Sequence, residues 1–465
     1  MDKYLKILLI IVISVAGILC FHFLQPLDPS LDAIKKKGEL VVLTRKAPTT
    51  YYVERNGETA GFEHDMAKHF ARWLGVSVRF KLYDSVGEII KSLEKGKGHL
   101  AAAGLTGTER RAEIFEFGPP YYEVQQQLVC RRGGSRPQNI EDLDSVSLAV
   151  VKDSSHDERL CEIRGSLLPD LAWESIPGVS QESLLEMVWR GELDCTVADS
   201  NVVAKNRRFY PDLVVVLPLT DLQELVWLLP KGAKELSRAL DEWFAVFEES
   251  GGLSALTTRY YANVEVFDYV DIVRFARSVE ERLPQYRPLF EEAAEKYGFE
   301  WTLLAALAYQ ESHWDPRARS STGVQGIMMI TLDTAKELGI DDRLDVGKSI
   351  EGGARYLAEL HRRLPESIEE PDRTWIALAA YNVGMGHIYD ARALADLYGL
   401  DKDTWAGLRE VLPKLSQPDY YNYLRFGYAR GQEPVVFVAR IRNYKQILEH
   451  HLWNQVAGET TFRPD

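Results

Sequence analysis

Metal-ligand spacing is missing from this chain. Four cysteines stand in 465 residues, Cys20, Cys130, Cys161 and Cys195, with no CxxC pair and no zinc-type arrangement around them. Neither a structural metal nor another cofactor is therefore expected. Three of the four lie beyond the N-terminal apolar run, an odd number, which leaves at least one thiol unpaired. Positive charge is also short: 55 Lys and Arg face 69 Asp and Glu, for a net charge of −14. Phosphate backbones are held by clustered cations, so no nucleic-acid partner is expected. No repeat period and no low-complexity linker breaks the chain, and its length corresponds to about three domains or lobes. Long uncharged runs are confined to one place.

That place is the N-terminus. Lys3 and Lys6 precede ILLIIVISVAGILC, the charge pattern of a secretory n-region and h-region. Export follows. No clean Ala-x-Ala comes after the run, and Gly17-Ile18-Leu19 before Cys20 makes a poor lipidation box. The apolar stretch reaches Leu24 with one histidine inside, just long enough to span a bilayer. Residues 1–24 are thus a signal sequence or a membrane anchor, and both stay open.

From Gly38 to about Ala262, short β-branched strands alternate with amphipathic helices. LVVLT (40–44) has the continuous apolar run of a buried strand. HDMAKHFARWLG (64–75) reads as a helix with Met66, Phe70, Trp73 and Leu74 on one face and Gly75 at its end, and VSVRFKLY as the next strand. This βαβ rhythm predicts a mostly parallel sheet flanked by helices. It restarts after RRGGSRP (131–137), so residues 38–262 are expected to form an α/β domain of two lobes around a cleft. The chain is expected to cross between lobes at QQQLVCR (125–131) and ELVWLLP (224–230). After Tyr260 no strand run remains: Pro288 opens a helix closed by Gly298, WTLLAALAYQES (301–312) follows, and further helices lie near 349–363 and 374–381. Residues 263–465 read as all-α. The connection around Tyr261–Arg282 has neither Gly nor Pro and reads as stiff.

GELVVLTRKAPTTYY, GETAGFEHDMAKHFARWLG and AAAGLTGTERRAEIFEFGPPYY, in that order, resemble the family 3 periplasmic solute-binding proteins, which capture polar amino acids. The resemblance implies five ligand positions. Arg111 falls where the family grips the ligand α-carboxylate, a planar fork meeting a planar anion. Thr106 falls where a hydroxyl and nearby backbone hold the ligand. Ser154 and Ser155 open a predicted helix whose free N–H groups favour an anion. Asp199 matches the acceptor of the ligand ammonium. Plain structural roles compete with these: a surface pair for Arg111, a helix cap for Asp199. His99 departs from the family, which usually has aspartate there.

In YQESHWDP, Glu311 stands at the end of an apolar helical run and shares a face with Leu304 and Ala308. Burial disfavours its anion, and the negative end of the helix dipole adds to this, so its pKa should rise as a proton donor requires. A frayed helix end paired with Arg317 or Arg319 is the competing reading. YQESHWDPRARSSTGVQGIMMITLDTAKELG and, downstream, AAYNVGMGHI resemble the soluble-type lytic transglycosylases of the lysozyme-like superfamily.

The second resemblance implies that Glu311 is the single acid/base. Ser320 helps hold the N-acetyl group or the attacking hydroxyl, and Gly326 with the backbone of Ile327 and Met328 lines the cleft. Tyr381 and Asn382 sit under the scissile bond, and Phe437 offers a stacking face where relatives have tyrosine. Met329 replaces a substrate-facing glutamine, whose donors a thioether lacks. Asp315, the one nearby carboxylate, suits a turn before Pro316. Ordinary glycosidases need a second carboxylate; lytic transglycosylases instead close the MurNAc 6-hydroxyl onto C1, leaving 1,6-anhydro ends. The implied partners are peptidoglycan strands and, at the first domain, an amino acid or muropeptide. The implied location is membrane-associated, on the periplasmic side of the envelope, at the outer membrane. The alternative is a non-catalytic envelope receptor that binds amino acids and glycan.

Overall fold

The computed structural model describes residues 26–47, 49–53, 58–261, 269–320 and 323–457. The apolar segment 1–24 lies outside the described residues, as does 262–268 of the connection expected to be stiff. Two compact units emerge: Met1–Val203 with Val214–Leu256, and Ala204–Leu213 with Thr257–Asp465. Among the described residues no helix is long and apolar enough to cross a membrane.

The first unit holds two sheets. In the first, β1 (Glu39–Arg45) runs parallel to β2 (Ser77–Tyr83) and β3 (Leu100–Thr106). Six of the seven residues of β1 are buried, as its unbroken apolar run requires. The helix α1 (Phe62–Leu74) covers this sheet with Met66, Phe70 and Leu74, and Gly75 ends it in the left-handed region at φ 75°. Trp73 departs from the expectation. It is 45% exposed, its indole stacked along Phe70 at the end of the apolar stripe instead of entering the core. Helices α2 (Val86–Glu94) and α3 (Glu109–Ile114) flank β3 before β4 (Phe115–Phe117) and β5 (Tyr122–Val124).

The second sheet contains β6 (Gln126–Arg131), β7 (Leu148–Val151), β8 (Glu174–Ile176), β9 (Cys195–Asp199) and β10 (Leu213–Pro218), in the order β8-β7-β9-β6-β10. Its helices α4 (Ser155–Ser166) and α5 (Gln181–Arg190) sit in the βαβ positions. The chain returns to the first sheet through β11 (Gln223–Pro230), giving the order β2-β1-β3-β11-β4. The first crossing falls at the start of 125–131, as expected, whereas the second passes through 219–222, ahead of the expected 224–230, which lies wholly within β11. There the Gln126 side-chain amide donates to Gln223 Oε1 at 2.9 Å. Cys130 and Cys195, facing each other on β6 and β9, are disulfide-bonded, and Cys161 is free and exposed.

The second unit is helical, with α6 (Tyr269–Glu281), α7 (Leu283–Tyr297), α8 (Trp301–Ser312), α9 (Val346–Arg363), α10 (Asp372–Val383), α11 (Met385–Leu397) and α12 (Gln432–Ala457). Pro288 does not open α7, as expected from sequence; it lies inside a helix already begun at Leu283 with a proline in its first turn. Its missing N–H would have met the carbonyl of Pro284, so only one bond near the helix start is lost. Gly298 closes α7 at φ 76°. Buried residues of α8, α9, α10 and α12 form one continuous core.

Candidate active site and candidate binding cleft

Helix α8 is apolar on every side from Leu303 to Ala308, so it runs through the core and only its last turn reaches the surface. Glu311 stands on that turn, half-buried. Burial pushes its carboxyl from the ordinary 4.5 up to about 8. The turn is fixed from beyond the helix: His313 and Trp314 both adopt left-handed backbone, φ 53° and 57°, which is strained for non-glycine residues. Trp314 offsets the strain. It is fully buried against Phe275 and Tyr309, and its indole N–H donates to Ala305 O at 2.8 Å. Asp315 is exposed and accepts from Arg317 N at 2.9 Å, closing a turn.

Ser312, the residue after Glu311, has its hydroxyl 2.8 Å from Ile327 O and 3.1 Å from Ala308 O. It thereby joins helix α8 to the GIMM loop, a link that sequence reasoning missed, since the adjacency of Glu and Ser was its sole signal. In the loop, Gly326 has φ 84°, and a Cβ there would fall 1.9 Å from Arg343 O. Only glycine fits. The Ile327 and Met328 side chains are wholly buried, and their carbonyls are engaged, Ile327 O by Ser312 and Met328 O by the Tyr381 hydroxyl at 2.9 Å. Burial, then the nearby Glu311 charge, raises the Tyr381 phenol well above its usual range. Asn382 follows on the last turn of α10, exposed, and Ser320 is half-buried with its hydroxyl accepting from Val324 N at 3.3 Å. Phe437 departs from the expectation of a stacking face. It is 6% exposed within the apolar core on α12, so no open ring remains there for a sugar.

The first unit carries the other candidate residues between its sheets. Arg111, on α3, is buried and donates to Thr106 O at 2.8 Å. The Thr106 and Ser155 hydroxyls are 3.5 Å apart. Ser154 caps α4, accepting from Asp157 N at 3.3 Å and donating to Val151 O at 2.6 Å. Asp199, at the end of β9, has His156 Nε2 at 3.1 Å on one oxygen and the Gln181 amide at 2.8 Å on the other. Burial works to raise its pKa, but His156 and Gln181 hold it below the usual carboxylate value. Thr106, Arg111, Ser154, Ser155 and Asp199 are thus gathered in one place.

Sequence reasoning passed over four further members: Arg45, Glu63, His156 and Glu182. Arg45 Nη1 lies 3.6 Å from Glu182 Oε2. Glu63 is buried, accepting from Gly104 N at 2.9 Å and from the Tyr121 hydroxyl, and burial pushes its carboxyl up to about 7. Lys91–Asp153 at 3.0 Å and Thr108–Glu158 at 3.1 Å span the same lobes beside a cavity of about 220 Å³ that Arg110 and Arg111 line. His99, the departure noted from sequence, accepts Val41 N at 2.9 Å. Burial lowers its pKa to about 4, so it stays neutral as an acceptor must.

Two families match the chain: "Bacterial extracellular solute-binding proteins, family 3" over residues 24–263 and "Transglycosylase SLT domain" over residues 288–402. The membrane-bound lytic murein transglycosylase F of Maricaulis maris is 50% identical over 422 residues, 90% of this chain and 92% of the relative. That of Saccharophagus degradans is 44% identical over 431 residues, 92% of this chain and 85% of the relative. Among solved structures, the amino acid ABC transporter substrate-binding protein AbpA from Streptococcus pneumoniae, bound to L-arginine, is 26% identical with a TM-score of 0.45, covering 50% of this chain and 98% of its own.

Proposed function

The chain belongs to the family of membrane-bound lytic murein transglycosylases F, and from that membership we propose how its residues act on peptidoglycan. Glu311, protonated, gives its proton to the glycosidic oxygen between MurNAc and GlcNAc as the bond to MurNAc C1 breaks. As a carboxylate it then takes the proton of the MurNAc 6-hydroxyl, whose oxygen closes onto C1 as a 1,6-anhydro ring. No water is consumed, and Glu311 returns to its acid form. The observation that carries this reading is the half-buried Glu311 carboxyl on the last turn of α8, pushed up to about 8 by burial, with the exposed Asp315 committed to a turn. Ser320, Gly326, the Ile327–Met328 backbone, Tyr381 and Asn382 hold the strand around it. Mass analysis of products from digested sacculi is the test. Anhydro-muropeptides are expected, and reducing ends would mean hydrolysis.

The first domain, which we bound at 38–262, senses an amino acid or a muropeptide with a free amino-acid end. Arg111 takes the α-carboxylate, Asp199 the α-ammonium, and Thr106, Ser154 and Ser155 the remaining polar contacts. Support comes from the convergence of all five in one buried, hydrogen-bonded cluster. Calorimetry should show Arg111→Ala weakening binding by about 2–4 kcal/mol. The protein works on the periplasmic side of the envelope, membrane-associated at the outer membrane; cell fractionation with N-terminal sequencing checks this and reports the fate of residues 1–24.

A further inference from the structure

The burial of Phe437 leaves the sugar-stacking role without a ring. Another aromatic of the second unit, Phe426 in the segment 422–430, is 45% exposed. Its ring is seated on α11. A Cβ on Gly386 would fall 2.5 Å from ring Cδ1 and 2.8 Å from both Cγ and Cε1. Equal distances to the two neighbours of Cδ1 put the glycine under the face of the ring, not at its edge. Any side chain at Gly386 would push the ring off. That accounts for a glycine in the first turn of a helix, where it otherwise weakens the element.

The backbone carrying the ring is held by a buried charge. Asp390, one turn beyond Gly386 on α11, is buried, its Oδ1 accepting from Arg425 N at 3.2 Å and its Oδ2 from Phe426 N at 2.8 Å. A carboxylate is costly to bury unless hydrogen bonds satisfy it. Here both oxygens are committed to N–H groups at an exposed ring, not at a core side chain. A lone exposed phenylalanine needs no explanation. One seated on a cleared glycine and anchored by a buried carboxylate does.

Its place completes the argument. Helix α11 begins directly after α10, whose last turn carries Tyr381 and Asn382. Gly386 follows Asn382 by four residues, so their backbones stand at most about 14 Å apart. The Tyr381 hydroxyl in turn reaches Met328 O in the GIMM loop. The Arg425 guanidinium lies 5.3 Å from the centre of the Phe426 ring, beyond carbon–carbon contact, and its side chain is exposed. A sugar can therefore take the outer face by moving a side chain that keeps its water. The C–H bonds of a sugar suit the electron-rich face of an aromatic ring.

We propose that Phe426 is the stacking platform for a sugar of the glycan strand beside the scissile bond, and that Asp390 is the residue that positions it. The assignment rests on the lytic reading of Glu311 and supplies the strand contact that Phe437 cannot make.

The test uses the full chain in detergent on soluble, uncross-linked peptidoglycan strands, reading KM and kcat for anhydro-product release. Retention on pelleted sacculi reads strand binding without turnover. Phe426→Ala should raise KM at least tenfold, leave kcat within twofold and weaken retention. Phe426→Tyr should keep the parent KM, whereas Phe426→Leu, of similar volume without a π face, should not. Asp390→Asn should raise KM severalfold. Added to Phe426→Ala it should raise KM no further, because the two act through one ring. If the alanine variant fails to fold by circular dichroism, the contrast of tyrosine with leucine still decides. An unchanged KM in Phe426→Ala, or a leucine variant as good as tyrosine, overturns the platform and spares the lytic reading. Additive effects of the pair overturn the positioning role of Asp390. Reducing ends from the unsubstituted chain remove the lytic reading, and retention on sacculi then decides the ring by itself.

Discussion

A carboxyl whose pKa is lifted from 4.5 to about 8 works against the fold at neutral pH. Below pH 4 Glu311 is protonated whether the chain is folded or not, and its burial costs little. As pH rises, the unfolded chain ionises first, and stability falls until the folded group ionises too, near pH 8. Glu311→Gln should therefore raise the melting temperature at pH 8 and hardly move it at pH 4, a pattern that thermal unfolding at the two values checks. The same variant should cut anhydro-product release by about 10²–10⁴, the share of proton transfer. In the native enzyme, glycosidic cleavage should decline above pH 8 as the donor is lost. The place of Glu311 at the end of a buried helix was legible because a charged letter closes an apolar run. Phe437 was not, since a stacking ring and a core ring are written with the same letter. Ser312 escaped because its bond to Ile327 O exists only once the GIMM loop has folded back. Ser312→Ala should lower turnover severalfold by loosening that loop, with the fold kept, as steady-state rates and circular dichroism would report.

At the scale of elements, the GIMM loop is built to one shape. Gly326→Ala places a methyl into Arg343 O and forces alanine into left-handed backbone, which should cost about 3 kcal/mol and most of the activity. Denaturant unfolding with a sacculus assay measures both. Strands and helices of the first unit could be read from apolar runs and glycine stops because burial on two faces and left-handed caps write directly into composition. Gly75 and Gly298 end their helices as that logic requires. Pro288 misled because proline is tolerated near a helix start, and the true start lay five residues earlier at Leu283. The pairing of Cys130 with Cys195 could not be read, since it follows from the register of β6 on β9.

For the whole molecule, one prediction joins sensing to lysis. Solute-binding lobes close on their ligand about the crossing strands, here those bearing Gln126 and Gln223. Saturating ligand should change the lytic rate of the full chain by a factor equivalent to about 1–3 kcal/mol. Rates on sacculi, with and without ligand, measure it; equal rates with binding confirmed would mean simple tethering. The disulfide has a different consequence. It closes a loop with a sequence separation of 65, so the second lobe from β6 to β9 is covalently a ring, with β7, α4, β8 and α5 inside it. A single cut at the exposed Arg131–Arg132 turn opens the ring without releasing either end. In an envelope populated by proteases, a first nick in this lobe would leave the molecule in one piece, and only reductant would part the fragments on a gel.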